Sequence, residues 1–292
     1  MAAYALAIDQ GADYIEPDLV VTRDGVLVAR HENELSGTTD VAQHPEFGAR
    51  RTRKRIDGRS MEGWFVEDFT LDELKTLRAR EPHPEVRLES AGFDSCEEIP
   101  TLQEILFLMG ATEGSLGDSA PIGTPGAYRC GIYPELKHPL YFAKLGFDTP
   151  RMLVEVLRSH GLSKRDQPVF IQSFDVRPLI ALRRLTDLPL VQLLDIEGGP
   201  FDSEVYGDGT TFRDMITPAG LARIATYADA IGPVKRLVDQ GANGAENDTG
   251  AGGTLLDQAR HHGLLVHPWT FRTSLLSPAG SGPRPGTLRP NR

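Results

Sequence analysis

Glu16 and Asp18 stand two residues apart in Ile15-Glu16-Pro17-Asp18, and Glu135 and Lys137 two apart in Tyr133-Pro134-Glu135-Leu136-Lys137. Both motifs end strand-like runs. Side chains on a strand alternate faces, so each pair shares a face. Three carboxylates and an ammonium converging at strand ends make a hard-cation site with a counter-charge for an anion beside it. His31 follows closely, in Val28-Ala29-Arg30-His31-Glu32-Asn33. A divalent ion, a lysine and a histidine together suit phosphoryl chemistry. The bland alternative is a set of strand-end carboxylates that are solvated or paired to nearby arginines.

The elements that must position these residues alternate between helical and strand patterns, which predicts an α/β fold with parallel strands. Ala2 to Gln10 reads as a helix stopped by Gly11. Tyr14 to Val21 and Val26 to Ala29 read as strands joined by the turn Asp24-Gly25. Residues 42–100 are charged and loop-rich, with a helix over Leu71 to Arg80 started by a Thr70/Glu73 capping box. A helix over Thr101 to Met109 follows, then a Gly/Ser/Pro-rich loop from Gly110 to Tyr128. Further strands are expected at Gly131 to Lys137, Val169 to Ser173, Leu190 to Leu194, Ala228 to Ile231 and Leu264 to His267. Helices are expected near Pro150 to His160, Val176 to Leu185, Pro218 to Thr226, Pro233 to Gln240 and Gly253 to His262. Residues 273–292 lack periodicity and apolar content and read as a disordered tail.

The totals narrow the function classes. A chain of 292 residues can bury one large core. With 25% charged and 40% hydrophobic residues it reads as a soluble globular protein. The net charge of −10, without a basic stripe, argues against nucleic-acid binding. No apolar run is long enough to span a bilayer, so no membrane insertion is expected. Met1 to Gln10 lack the basic start of a signal peptide and include Asp9. Cys96 and Cys130 could pair in an oxidising compartment, but free thiols are the preferred reading.

The run from Gly11 to His31 resembles the core signature of glycerophosphodiester phosphodiesterases. Ile132-Tyr133-Pro134-Glu135-Leu136-Lys137-His138-Pro139 resembles the second signature of that family. Val169 to Asp175 and His267-Pro268-Trp269-Thr270-Phe271 resemble the third and fourth. Four matches in order are a strong signal, where a lone Glu-x-Asp is a weak one. The resemblance covers roughly Ala2 to Arg272 and implies a TIM-type (β/α)8 barrel with an insertion after its second strand, here spanning 42–130 with the loop that follows. It implies Glu16, Asp18 and Glu135 as ligands of Ca²⁺, with Mg²⁺ the alternative. It implies His31 as one of two catalytic histidines and Lys137 as the countercharge to the phosphate. Gln172, Phe174 and Trp269 become substrate-pocket residues. The implied reaction is hydrolysis of a small-molecule glycerophosphodiester to sn-glycerol 3-phosphate and an alcohol, in a periplasmic or secreted setting. The other histidines, His267 among them, read as surface or packing residues.

Against this family pattern the sequence supplies six barrel strands counted from Tyr14. The first strand, with its His-Arg-Gly motif and partner histidine, and the eighth strand are expected to be missing. The preferred account is a start placed too late and a frame change near Thr273; a genuinely shortened product is the alternative. The rival functional reading is a non-catalytic relic that still binds metal or glycerophosphate.

Overall fold

The computed structural model describes residues 1–110, 130–242 and 253–271. The tail expected at 273–292 and nearly all of the loop expected from Gly110 to Tyr128 lie outside the described residues.

The first half runs α1 (Ala2–Asp9), β1 (Tyr14–Ile15), β2 (Asp18–Val21), β3 (Leu27–Ala29), β4 (Thr52–Ile56), β5 (Arg59–Gly63), α2 (Leu71–Leu74), α3 (Leu88–Ala91) and α4 (Leu102–Gly110). The second half runs β6 (Gly131–Ile132), β7 (Glu135–Leu136), α5 (Pro139–Lys144), α6 (Thr149–Ser159), β8 (Ile171–Ser173), α7 (Val176–Leu185) and β9 (Leu190–Leu194). It continues with α8 (Phe201–Tyr206), α9 (Phe212–Met215), α10 (Pro218–Ile224), β10 (Ala230–Pro233), α11 (Lys235–Ala242), α12 (Leu255–His261) and β11 (Leu265–Val266).

The main sheet has the order β11-β10-β9-β8-β7-β2-β3, and every pairing in it is parallel except β2 with β3. β1 pairs with β6 in parallel. β1 and β2 are two halves of one strand interrupted at Glu16-Pro17, and β6 and β7 are two halves of another interrupted at Tyr133-Pro134. The sequence predicts both as continuous. They break because Pro17 and Pro134 have no N–H to give to a ladder. The register survives the break: Tyr14 pairs with Gly131 and Asp18 with Glu135, the same offset of 117 (131 − 14 and 135 − 18). The amides of Tyr133 and Glu135 donate to the carbonyls of Ile15 and Pro17 across it. Six parallel strand positions with helices between them are thus present, the number counted in the sequence, and the described residues do not close the sheet.

Helix packing follows from apolar spacing. α6 buries Leu153, Val154 and Leu157, and α7 buries Pro178, Leu179 and Leu182, each one stripe of a helix. Asp148 caps α6, and capping boxes at Thr211 and Thr254 start α9 and α12.

Several expected boundaries change. The Thr70/Glu73 capping box is present, but α2 stops at Leu74 instead of Arg80. The chain is drawn away there, with the Arg78 amide donating to Asp40 at 2.7 Å and a bridge between Thr39 and Ala79. Pro233 ends β10 and does not open α11. The β4–β5 hairpin, in the stretch expected to be an insertion, is an addition to the elements read from the sequence. Its Asp57-Gly58 turn has φ of +44° and +78°, the double left-handed step of a type I′ turn. α5, α8 and α9 are too short for helical periodicity to reveal. Cys96 is exposed, Cys130 is buried, and neither forms a disulfide.

Candidate active site

Strand register assembles the site. Asp18 on β2 pairs with Glu135 on β7, and Glu135 pairs with Gln172 on β8, so three motif residues form one row across three strands. Glu16, one alternation before Asp18, joins them from the same face. Oxygens of Glu16, Asp18 and Glu135 all lie within 4.8 Å of one another. The Lys137 ammonium sits 2.7 Å from Glu135 Oε1 and 3.2 Å from Asp18 Oδ1. Gln172 donates its side-chain amide to Glu16 Oε1, so this expected substrate residue touches an expected metal ligand.

The electrostatics follow from burial. Burial pushes the Glu135 carboxyl up and Asp18 adds to it, while Lys137 opposes both. Burial works against the Lys137 charge, but Glu135 and Asp18 outweigh it and raise the group. Burial and Asp18 also raise Glu16, against the Gln172 hydrogen bond and the charges of Lys137 and His31. Three carboxylates against one ammonium leave a formal charge of −2 (−3 + 1) in a partly desolvated space. An all-carboxylate oxygen set with that deficit fits a hard divalent cation.

His31 follows β3. The Arg30 amide donates to the Asp18 carbonyl at 2.7 Å, which fixes His31 at the edge of the ligand strand. The ring is exposed, and its Nδ1 lies 3.0 Å from Glu32 Oε1. On the other side Phe174 and Trp269 meet edge to face at 5.7 Å. Trp269 donates its indole N–H to the Gly232 carbonyl at 2.7 Å, which fixes that ring. The structure therefore brings Glu16, Asp18, Glu135, Lys137 and Gln172 into contact, places His31 beside them, and joins Phe174 to Trp269.

Two features went unread in the sequence. Tyr14, Tyr133, Phe170 and His267 pack ring against ring under the carboxylates, and the Tyr133 hydroxyl lies 2.7 Å from His267 Nδ1. Burial lowers His267 and raises Tyr133, which keeps both neutral near pH 7. Alternation carried the signal: Tyr14, Tyr133 and Phe170 each precede a site residue (Glu16, Glu135, Gln172) by two positions. The second feature is Tyr4 of α1, whose phenol is raised by burial and by the charges of Asp18 and Glu16. Nothing in its local sequence announces that charge effect.

Comparison with known proteins gives a consistent picture. The glycerophosphoryl diester phosphodiesterase family matches residues 1–278. An Arabidopsis thaliana glycerophosphodiester phosphodiesterase is 33% identical over 285 residues, covering 92% of this chain and 69% of that protein. A Haemophilus influenzae glycerophosphodiester phosphodiesterase is 29% identical over 286 residues, covering 93% of this chain and 74% of that protein. Among solved structures, an Oleispira antarctica phosphodiesterase in complex with the product sn-glycerol-3-phosphate superposes with a TM-score of 0.51 at 20% identity, covering 91% of this chain and 84% of that one.

Proposed function

The chain belongs to the glycerophosphoryl diester phosphodiesterase family, a family of enzymes, and from that premise we propose that its carboxylate row is the metal centre of a glycerophosphodiester hydrolase. The observation that carries the reading is the row itself: Glu16, Asp18 and Glu135 within one coordination distance, with Lys137 bridging two of them. Glu16, Asp18 and Glu135 would hold Ca²⁺, with Mg²⁺ the alternative. A bound divalent ion would polarise the phosphoryl oxygens and offset their charge.

The remaining roles belong to the chain. Lys137 supplies a second positive charge next to the phosphate. Its ammonium is prepositioned by Glu135 and Asp18, so little reorganisation accompanies reaction. His31 moves the proton. With Nδ1 engaged by Glu32, Nε2 is the nitrogen left for transfer. Phe174 and Trp269 wall the glycerol end, and Gln172 holds the Glu16 carboxylate that would ligate the ion. In the net reaction water adds across the phosphorus–oxygen bond to the alcohol. The products are sn-glycerol 3-phosphate and that alcohol, the phosphoryl group retaining the water oxygen.

We read residues 1–272 as the barrel unit, with 42–130 as its insertion and loop region. No helix among the described residues is long and apolar enough to cross a membrane. The family resemblance favours a periplasmic or secreted setting. There a millimolar Ca²⁺ supply would fill even a site with a dissociation constant of about 10⁻⁴ M.

The test is sn-glycerol 3-phosphate release from glycerophosphodiesters carrying several alcohols. The wild type should release it, Glu135→Gln should lose nearly all turnover, and His31→Ala should fall by about 10²- to 10⁴-fold. Metal binding without turnover in the wild type would instead support the non-catalytic reading.

A further inference from the structure

We propose that Glu67, in the insertion, is a positioning residue that sets the spacing between the His31 segment and the Lys137 segment. The proposal rests on the assignment of His31 and Lys137 to the site.

Glu67 lies in the short 3₁₀ helix Val66–Asp68, and its side chain is 2% exposed. One carboxylate reaches three parts of the chain. Its Oε2 accepts from Asn33 Nδ2 at 3.1 Å. Its Oε1 accepts from Lys54 Nζ at 2.9 Å and from the Tyr141 hydroxyl. Asn33 is fully buried, two residues beyond His31, and its carbonyl also accepts from the Val66 amide at 2.8 Å. Tyr141 lies in the first turn of α5, four residues beyond Lys137.

The insertion grips that turn a second time. His138, next to Lys137, has φ of +47°, a conformation non-glycine residues hold only when their surroundings enforce it. Its Nδ1 lies 2.5 Å from Asp57 Oδ2 on the β4–β5 turn. His138 and Tyr141 are thus fixed, three residues apart, by two insertion carboxylates.

A buried ion pair such as Lys54–Glu67 is weak evidence for stability, because desolvation offsets its attraction. Its geometric effect is definite. The two segments bearing the proton-transfer group and the phosphate countercharge meet at one carboxyl group. Removing it frees both to shift, and a misplacement of about 1 Å is enough to cost about a hundredfold in rate.

The experiment is steady-state kinetics on a glycerophosphodiester with the full chain and six variants. Glu67→Ala should lower kcat by about 10- to 100-fold with KM changed less than about threefold. Glu67→Gln should recover most of kcat. Its amide oxygen can accept from Lys54 and Tyr141, and its NH₂ can donate to Asn33 Oδ1, which has no partner now, once Asn33 turns its amide over. Tyr141→Phe should lower kcat by a smaller factor, about threefold, again at constant KM. Leu74→Val, at a fully buried position of α2 outside the tie, should lower the melting temperature and leave kcat near wild type. A wild-type kcat in Glu67→Ala, or an equal kcat loss in Leu74→Val, overturns the proposal. If Glu67→Ala does not fold, Tyr141→Phe decides alone, since it removes one hydroxyl; an unchanged kcat there overturns the proposal. His31→Ala and Lys137→Ala separate the two levels. If they leave turnover intact, the site assignment itself fails; if they abolish it while Glu67→Ala does not lower it, only the positioning role fails.

Discussion

Lys137 is the residue whose removal separates electrostatics from packing. Its side chain is 11% exposed and contacts two carboxylates. Lys137→Met keeps the length of the stem and deletes the charge, leaving Glu135 and Asp18 opposed without compensation. Breaking such a buried pair costs about 3–5 kcal/mol. Chemical denaturation should show that loss in metal-free buffer, and saturating Ca²⁺ should restore part of it. A Ca²⁺-independent loss would mean that Lys137 is a packing residue. The charged members of this site were legible in the sequence because charge at a strand end is conspicuous and two-residue spacing fixes the shared face. Tyr4 was not, because its proximity to Asp18 and Glu16 depends on where α1 packs.

At the scale of elements, close approach and capping govern stability. A Cβ added at Gly131 would lie 2.2 Å from the Tyr14 ring and 2.8 Å from the Pro168 carbonyl. Gly131→Ala should therefore cost about 1–3 kcal/mol in a urea titration, by forcing β1 from β6. An unchanged midpoint would show that Tyr14 moves freely. Glu73 makes a pH-dependent contribution. The Arg50 hydrogen bond, then the Thr70 amide and the Arg23 charge, hold its carboxyl down at about 2 against an ordinary 4.5. A depressed folded-state value means stability that is present above pH 4.5 and lost as pH falls toward 2. The stability difference between wild type and Glu73→Gln should shrink across that window; a constant difference would remove Glu73 from the linkage. The Thr70/Glu73 box was readable because capping is local. The end of α2 was not, because it is set by Asp40, which lies 38 residues from Arg78 in the chain. The β4–β5 hairpin was readable in principle from Asp57-Gly58, but five of its ten strand residues are charged and they carry little alternation.

At the scale of the whole molecule, six parallel strand positions bring Asp18, Glu135 and Gln172 into one row across three strands. The parallel strands and the longer helices between them, such as α6 and α7, were legible because α/β alternation leaves few topologies. The split of two strands at proline was foreseeable residue by residue, yet the unbroken register across the split is a property of the ladder. The coupling of the insertion to the site through Glu67 and Asp57 was invisible, since each contact joins residues more than thirty positions apart. The most direct test of the account is sn-glycerol 3-phosphate release from a glycerophosphodiester after exhaustive chelation, followed by Ca²⁺ or Mg²⁺ add-back to wild type and Glu135→Gln. The account predicts loss of turnover on chelation, recovery on add-back in the wild type, and no recovery in Glu135→Gln. Full turnover in chelator, or equal recovery in the variant, would contradict it.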